Sequence, residues 1–148
     1  MKALRKIHSG AGGVQLCELP APIPAADEIR IKVAYVGICG TDMHIIGDEY
    51  PANMPVTMGH EYSGVVEVVG RDVTDFKPGD RVISMTVGYA CGKCKSCHDG
   101  LELKCAERKS IGSGTDGAMA EYVVVKAARA FHIPDEISLE VAALSEPV

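Results

Sequence analysis

The chain has 148 residues, of which 47% are hydrophobic, 24% charged and 5% aromatic, and its formal net charge is −5. Length and make-up are sufficient for one domain with a real core, which excludes an intrinsically disordered chain. The acidic balance argues against a protein that tracks nucleic-acid phosphates, no stretch reaches the roughly 18–20 apolar residues of a membrane span, and no apolar signal-like run opens the sequence, so the expected compartment is the reducing cytoplasm.

Taken in chain order, the first half reads as β structure. Pro20, Pro22 and Pro24 act as breakers. Residues 27–36 then alternate, with Ile29, Ile31, Val33 and Tyr35 on one face and Arg30, Lys32 and Ala34 on the other, the period-two signature of a half-buried strand. A short helical turn is expected over Thr41–Ile46. The β-branched run Val65–Val69 ends at Gly70, Lys77-Pro78-Gly79-Asp80 makes a turn, and Arg81–Met85 resumes extended structure. A second short helix is expected within Cys94–Gly100. Gly112-Ser113-Gly114 lacks the helix that a dinucleotide fingerprint needs and reads as a flexible loop. Tyr122–Val125 is another strand. Ser138 is a plausible N-cap for a helix whose apolar face is Leu139, Ala142 and Ala143. Many short strands between Gly and Pro turns predict a mainly β domain with short helices, a barrel or a sandwich.

Cysteine is the outlier. Six are present, at 17, 39, 91, 94, 97 and 105, and the last four have the spacing C-x2-C-x2-C-x7-C. Four soft donors on a short loop can close around one tetrahedral Zn²⁺, with Gly92 allowing the tight backbone. With every position a thiolate, such a site would be structural. Two disulfides, a redox pair at Cys91–Cys94 and iron in place of zinc are the competing readings. Cys17 reads as a small core residue, and His8, His98 and His132 as structural or solvated.

A second constellation lies upstream. Cys39, His60 and Glu61 are a sulfur, a nitrogen and an oxygen donor, and three protein ligands with one open position are the plan of a catalytic zinc. The same residues could equally be a buried thiol at a strand end and a surface histidine. Thr41 could be a helix cap, His44 a solvated loop residue and Asp42 a first-turn acid.

Four motifs then occur in order: Gly37-x-Cys39-Gly40-Thr41-Asp42-x-His44, Gly59-His60-Glu61-x-x-Gly64-x-Val66, Gly79-Asp80-Arg81-Val82, and the four-cysteine loop. Together they resemble the zinc-dependent medium-chain dehydrogenases over essentially the whole chain, and Leu144-Ser145-Glu146-Pro147 is most similar to the sorbitol and threonine dehydrogenase branch. The resemblance implies a GroES-like, barrel-type domain with a zinc-binding loop spanning residues 1–148. It implies two zinc ions, a structural one on Cys91, Cys94, Cys97 and Cys105, and a catalytic one on Cys39 and His60 with Glu61 or Glu146 as further ligand. It makes Thr41 and His44 a proton relay that touches the cofactor ribose, and Asp42 the acceptor for the His60 ring N–H.

The activity so implied is zinc-assisted hydride transfer between a secondary alcohol or polyol and NAD or NADP. The nicotinamide-binding Rossmann half is not found in these residues. The expectation is therefore the N-terminal catalytic domain of a longer, homo-oligomeric enzyme, inactive as an isolated fragment. The alternatives are a stand-alone zinc-binding scaffold and a co-chaperonin, the latter leaving the cysteine loop and Gly59-His60-Glu61 unexplained.

Overall fold

The computed structural model describes residues 1–146. Pro147 and Val148 lie outside the described residues, so the closing Ser145-Glu146-Pro147 motif is seen only through Glu146.

Among the described residues, ten strands and three short helices follow one another. β1 (Lys2–Lys6), β2 (Val14–Glu18) and β4 (Val56–Thr57) form a three-stranded sheet in the order β2-β1-β4. β3 (Glu28–Val36), β5 (Tyr62–Val69), β6 (Arg81–Ser84), β9 (Tyr122–Lys126) and β10 (Ala130–His132) form the main sheet, in the order β10-β6-β5-β3-β9. β7 (Val87–Tyr89) and β8 (Lys109–Ser110) pair beside the cysteine loop. The helices are α1 (Gly40–Ile46), α2 (Lys95–His98) and α3 (Leu139–Ala142).

The core follows from period two. Ile29 and Ile31 of β3 are fully buried and stand opposite Val69 and Val66 of β5 on one side and Val125 and Val123 of β9 on the other. Tyr62, Val82, Ile111, Ala118 and Ala130 belong to the same cluster. Each such aliphatic side chain contributes about 1.5–3 kcal/mol by leaving water. The alternation predicted for residues 27–36 holds through Val33 and then fails. The register shifts between Val33 and Tyr35, and Tyr35 ends up half exposed. That irregularity re-aims the chain toward the loop that carries Cys39.

The expected barrel is not formed. Among the described residues no sheet closes on itself: β9 and β10 are the two edges of the main sheet and do not pair with each other. The physical reason lies in the connection between them. A 3-10 turn over Ala127–Arg129 carries the chain from the β3 edge to the β6 edge, and β10 is only three residues long. The N-terminal sheet is joined to the main one by an isolated bridge, Ala3 to Ala120, rather than by a continuous ladder.

The helices obey their caps. Ser138 Oγ accepts the Val141 N–H at 3.2 Å, and Ala142 and Ala143 are buried beneath α3. α1 starts where Cys39 is still extended (φ −88°, ψ 158°) and buries Ile45. Its end is fixed from a distance. Lys6, only 1% exposed, donates through Nζ to the Ile46 carbonyl at 3.0 Å and pairs with Asp48 at 2.8 Å. Cys17 is half-buried on β2 rather than in the core.

Candidate metal centres and the cleft

Cys91, Cys94, Cys97 and Cys105 converge around α2 and the 3-10 turn Glu102–Lys104. Their sulfurs are 3.5 Å (Cys94–Cys97), 3.6 Å (Cys105–Cys91) and 3.9 Å (Cys91–Cys97) apart. A tetrahedron with metal–sulfur bonds of about 2.3 Å has sulfur–sulfur edges of about 3.8 Å, whereas a disulfide bond is about 2.05 Å long. The donor set therefore fits a four-thiolate cation and not two disulfides, and all four cysteines are free thiols. Gly92, at φ +70°, makes the turn between the first two. Burial and the neighbouring Cys94 thiol push Cys97 up to about 12, while the Cys91 N–H brings Cys105 down to about 7. Four sulfurs this close ionise together only with a cation between them. His98 is exposed on α2 and outside the cluster.

A buried arginine that the sequence reading did not single out ties this lobe to the body. Arg129, 3% exposed, donates to both carboxylate oxygens of Glu102 (2.7 and 3.1 Å) and to the carbonyls of Val87 and Gly88 (3.2 and 3.0 Å). The Arg129 guanidinium holds the Glu102 carboxyl below the usual carboxylate range.

The second group is assembled from two loops, one carrying Cys39 and the other His60-Glu61. One donor atom each from Cys39, His60 and Glu61 lies within 4.8 Å of the others. Glu61, directly before β5, is 8% exposed and its carboxylate makes no hydrogen bond or ion pair with the described residues. Gly37 leaves room for it: a Cβ there would stand 2.6 Å from Glu61 Oε2. A carboxylate with little exposure and no ion-pair partner, grouped with a sulfur and a nitrogen donor, fits a divalent cation.

Asp42 aligns the set. It is fully buried in the first turn of α1, where Oδ2 accepts the Cys39 N–H at 2.9 Å and Oδ1 accepts the Gly59 N–H at 3.1 Å. Its distance to His60 Nδ1 is 4.0 Å, so it holds the backbones of both ligand loops rather than the imidazole ring. The Gly112–Gly114 segment is not a free loop. Gly112 and Gly117 lie against the Gly59 backbone so closely that a Cβ at Gly117 would come within 2.2 Å of the Gly59 carbonyl oxygen. Residue spacing alone does not reveal this contact.

A cleft opens beside the group, lined by Thr41, His60, Arg108, Ser110, Ser113 and Glu146 among others. Thr41 Oγ1 is 3.7 Å from Cys39 Sγ. Glu146 lies on the cleft wall and outside the three-residue donor group. His44 sits further along α1, exposed, with Nδ1 donating to Glu49 at 2.7 Å. No helix among the described residues is long and apolar enough to cross a membrane.

The chain is thus an open, mainly β domain with a four-cysteine lobe and a Cys-His-Glu donor group beside a polar cleft, the arrangement of a metal-binding domain. Residues 25–135 match the alcohol dehydrogenase GroES-like domain, and the chain belongs to that family of zinc-dependent medium-chain dehydrogenases. It is 41% identical over 148 residues to a sorbitol dehydrogenase of Halalkalibacterium halodurans, covering all of this chain and 43% of that protein. An alcohol dehydrogenase of Escherichia coli CFT073 complexed with NADH superposes with a TM-score of 0.89 at 34% identity, covering 99% of this chain and 42% of that one. A cobalt- and zinc-bound thermostable alcohol dehydrogenase of Pyrobaculum aerophilum gives 0.84 at 33% identity, with 97% and 44% covered. The chain thus spans less than half the length of the relatives it matches.

Proposed function

We propose that this chain is the catalytic domain of a zinc-dependent dehydrogenase that moves hydride between a secondary alcohol or polyol and NAD or NADP, the nicotinamide being carried by a region outside these residues. The observation that carries the reading is the grouping of donor atoms of Cys39, His60 and Glu61 within 4.8 Å of one another, with His60 lining a polar cleft. Cys39, His60 and Glu61 would hold a zinc ion, with Glu146 the carboxylate able to exchange with Glu61; Cys91, Cys94, Cys97 and Cys105 would hold a second, structural one. A zinc ion at the first site supplies Lewis acidity, which eases loss of a hydroxyl proton or polarises a carbonyl.

The chain's own residues account for the rest. Loss of hydride from carbon leaves a hydroxyl proton that must reach solvent. Thr41 Oγ1, on the cleft wall, accepts it and passes it outward. His44 is the outlet: its Nδ1–H is engaged by Glu49, which leaves Nε2 free to accept the proton and release it to water. Asp42 keeps the two ligand loops in register and takes no proton. The similarity to a sorbitol dehydrogenase supports a polyol, and the likeness to the NADH complex supports a nicotinamide partner. As an isolated fragment the chain would hold metal without turning over, because half of the reacting pair is carried elsewhere.

Elemental analysis tests the reading. The native chain should carry two zinc ions, with Cys39→Ser and Cys94→Ser each losing a different one. A chain purified without chelator that carries none would overturn it.

A further inference from the structure

Resting on that reading, we infer that the substrate carries an anionic group, a phosphate monoester or a carboxylate, and that Arg108 recognises it. The chain has six arginines. Five are engaged: Arg5 with Asp116, Arg30 with Glu67, Arg71 with Asp72, Arg129 with Glu102, and Arg81 with the carbonyls of Asp135 and Ile137. Arg108 alone makes no side-chain hydrogen bond or ion pair with the described residues, and it is the arginine that lines the cleft with Thr41 and His60.

Its direction is fixed by local structure. Arg108 directly precedes β8, and its N–H donates to the Cys105 carbonyl at 3.1 Å, anchoring it to the cysteine lobe. Arg108 and Ser110 share one side of the extended chain and both line the cleft, while Lys109 points the other way, 5.6 Å over the Tyr89 ring. The cleft wall around Arg108 is hydroxyl-rich, with Tyr50, Thr86, Ser110 and Ser113. A guanidinium with free donors beside several hydroxyls matches the oxygens of a phosphate or carboxylate, which it can grip through two parallel N–H···O bonds. Arg108 is exposed, so water solvates it in the free cleft, and an anionic substrate group is the partner its free donors can take in water's place. Glu146 is the acidic residue on the same wall, and no ion pair joins it to Arg108.

Calorimetric titration of the zinc-loaded chain with glycerol, glycerol 3-phosphate and L-lactate separates the possibilities. Arg108→Gln should weaken glycerol 3-phosphate or lactate by about tenfold or more, the loss expected for a charge-assisted pair, and leave glycerol unchanged. The anion that loses more identifies the group read. Glu146→Gln should strengthen the same anion. Equal binding of both anions by the native chain and Arg108→Gln would overturn the inference. So would an Arg108-dependent affinity for ADP-ribose without one for either small anion, which would give the arginine to the cofactor. Zinc content, measured on the same samples, reports separately on the reading beneath: loss of zinc condemns that reading, whereas two zinc ions with indifferent Arg108 condemn only this one.

Discussion

The Asp42 carboxylate accepts the backbone N–H of Gly59 at 3.1 Å, seventeen residues away, while its other oxygen takes the N–H of Cys39 at 2.9 Å. One buried acid thereby staples the loop that carries a sulfur donor to the loop that carries a nitrogen donor. Asp42→Asn keeps the shape but turns an NH₂ group toward one of those N–H donors. It should lower stability by about 2–4 kcal/mol, the cost of a buried donor left without a charged acceptor. Urea unfolding measures that loss. Zinc analysis should find the Cys39 site depleted and the four-cysteine site full.

Gly37 offers a sharper probe of Glu61. A methyl group at 37 would overlap Glu61 Oε2, the end of a flexible side chain, so the fold can absorb it while the carboxylate must turn away. Gly37→Ala is expected to weaken cation binding at Cys39, His60 and Glu61 by about 10–100-fold, with little change in the urea midpoint of the metal-free chain. Competition with a chromophoric chelator reads the affinity directly.

How much of this was legible in the sequence depends on range. Ile29 and Ile31 announced their strand because a neighbour two residues away shares their face. The four cysteines announced their site because all lie within fifteen residues. Cys39 and His60 are a different case, since nothing local says that a chain reversal will bring them together; only the ordered motifs around them did. Three features stayed hidden. Arg129 finds Glu102 across twenty-seven residues, and Gly117 backs onto Gly59. The sheet stays open because a 3-10 turn moves the chain between its edges. Each depends on strand order, which composition and periodicity do not encode.

The Glu102–Arg129 pair gives a pH prediction. Arg129 lowers the folded-state pKa of Glu102, so the pair contributes stability above the unfolded carboxylate pKa, near 4.3 for a typical Glu, as approximately given by model peptides. That contribution disappears as pH falls through the lower, folded value. Glu102→Gln should therefore cost about 1–3 kcal/mol at neutral pH, a range that allows for the partial exposure of Glu102. The gap between variant and native chain should narrow as pH falls below about 4. Urea midpoints measured across that range would show parallel curves if the ion pair contributed nothing.

His44 and Glu49 make a kinetic prediction for an enzyme that contains this domain together with its cofactor region. Glu49→Gln removes the carboxylate that engages Nδ1 without touching the metal donors. The rate of alcohol oxidation should fall by about 2–10-fold and recover with added small-molecule buffer, while zinc content stays at the native level. An unchanged rate in the variant would remove His44 from the outward path of the proton.

The central claim is that Cys39, His60 and Glu61 share one cation with a coordination position left open to the cleft. Anomalous diffraction at the zinc absorption edge from crystals of the zinc-loaded chain tests it most directly. The account predicts two peaks, one inside the four sulfurs and one touching Cys39 Sγ, a His60 ring nitrogen and a carboxylate oxygen, with a solvent or ligand oxygen completing the second. A single peak at the four sulfurs, with Cys39 and His60 bare, would contradict it.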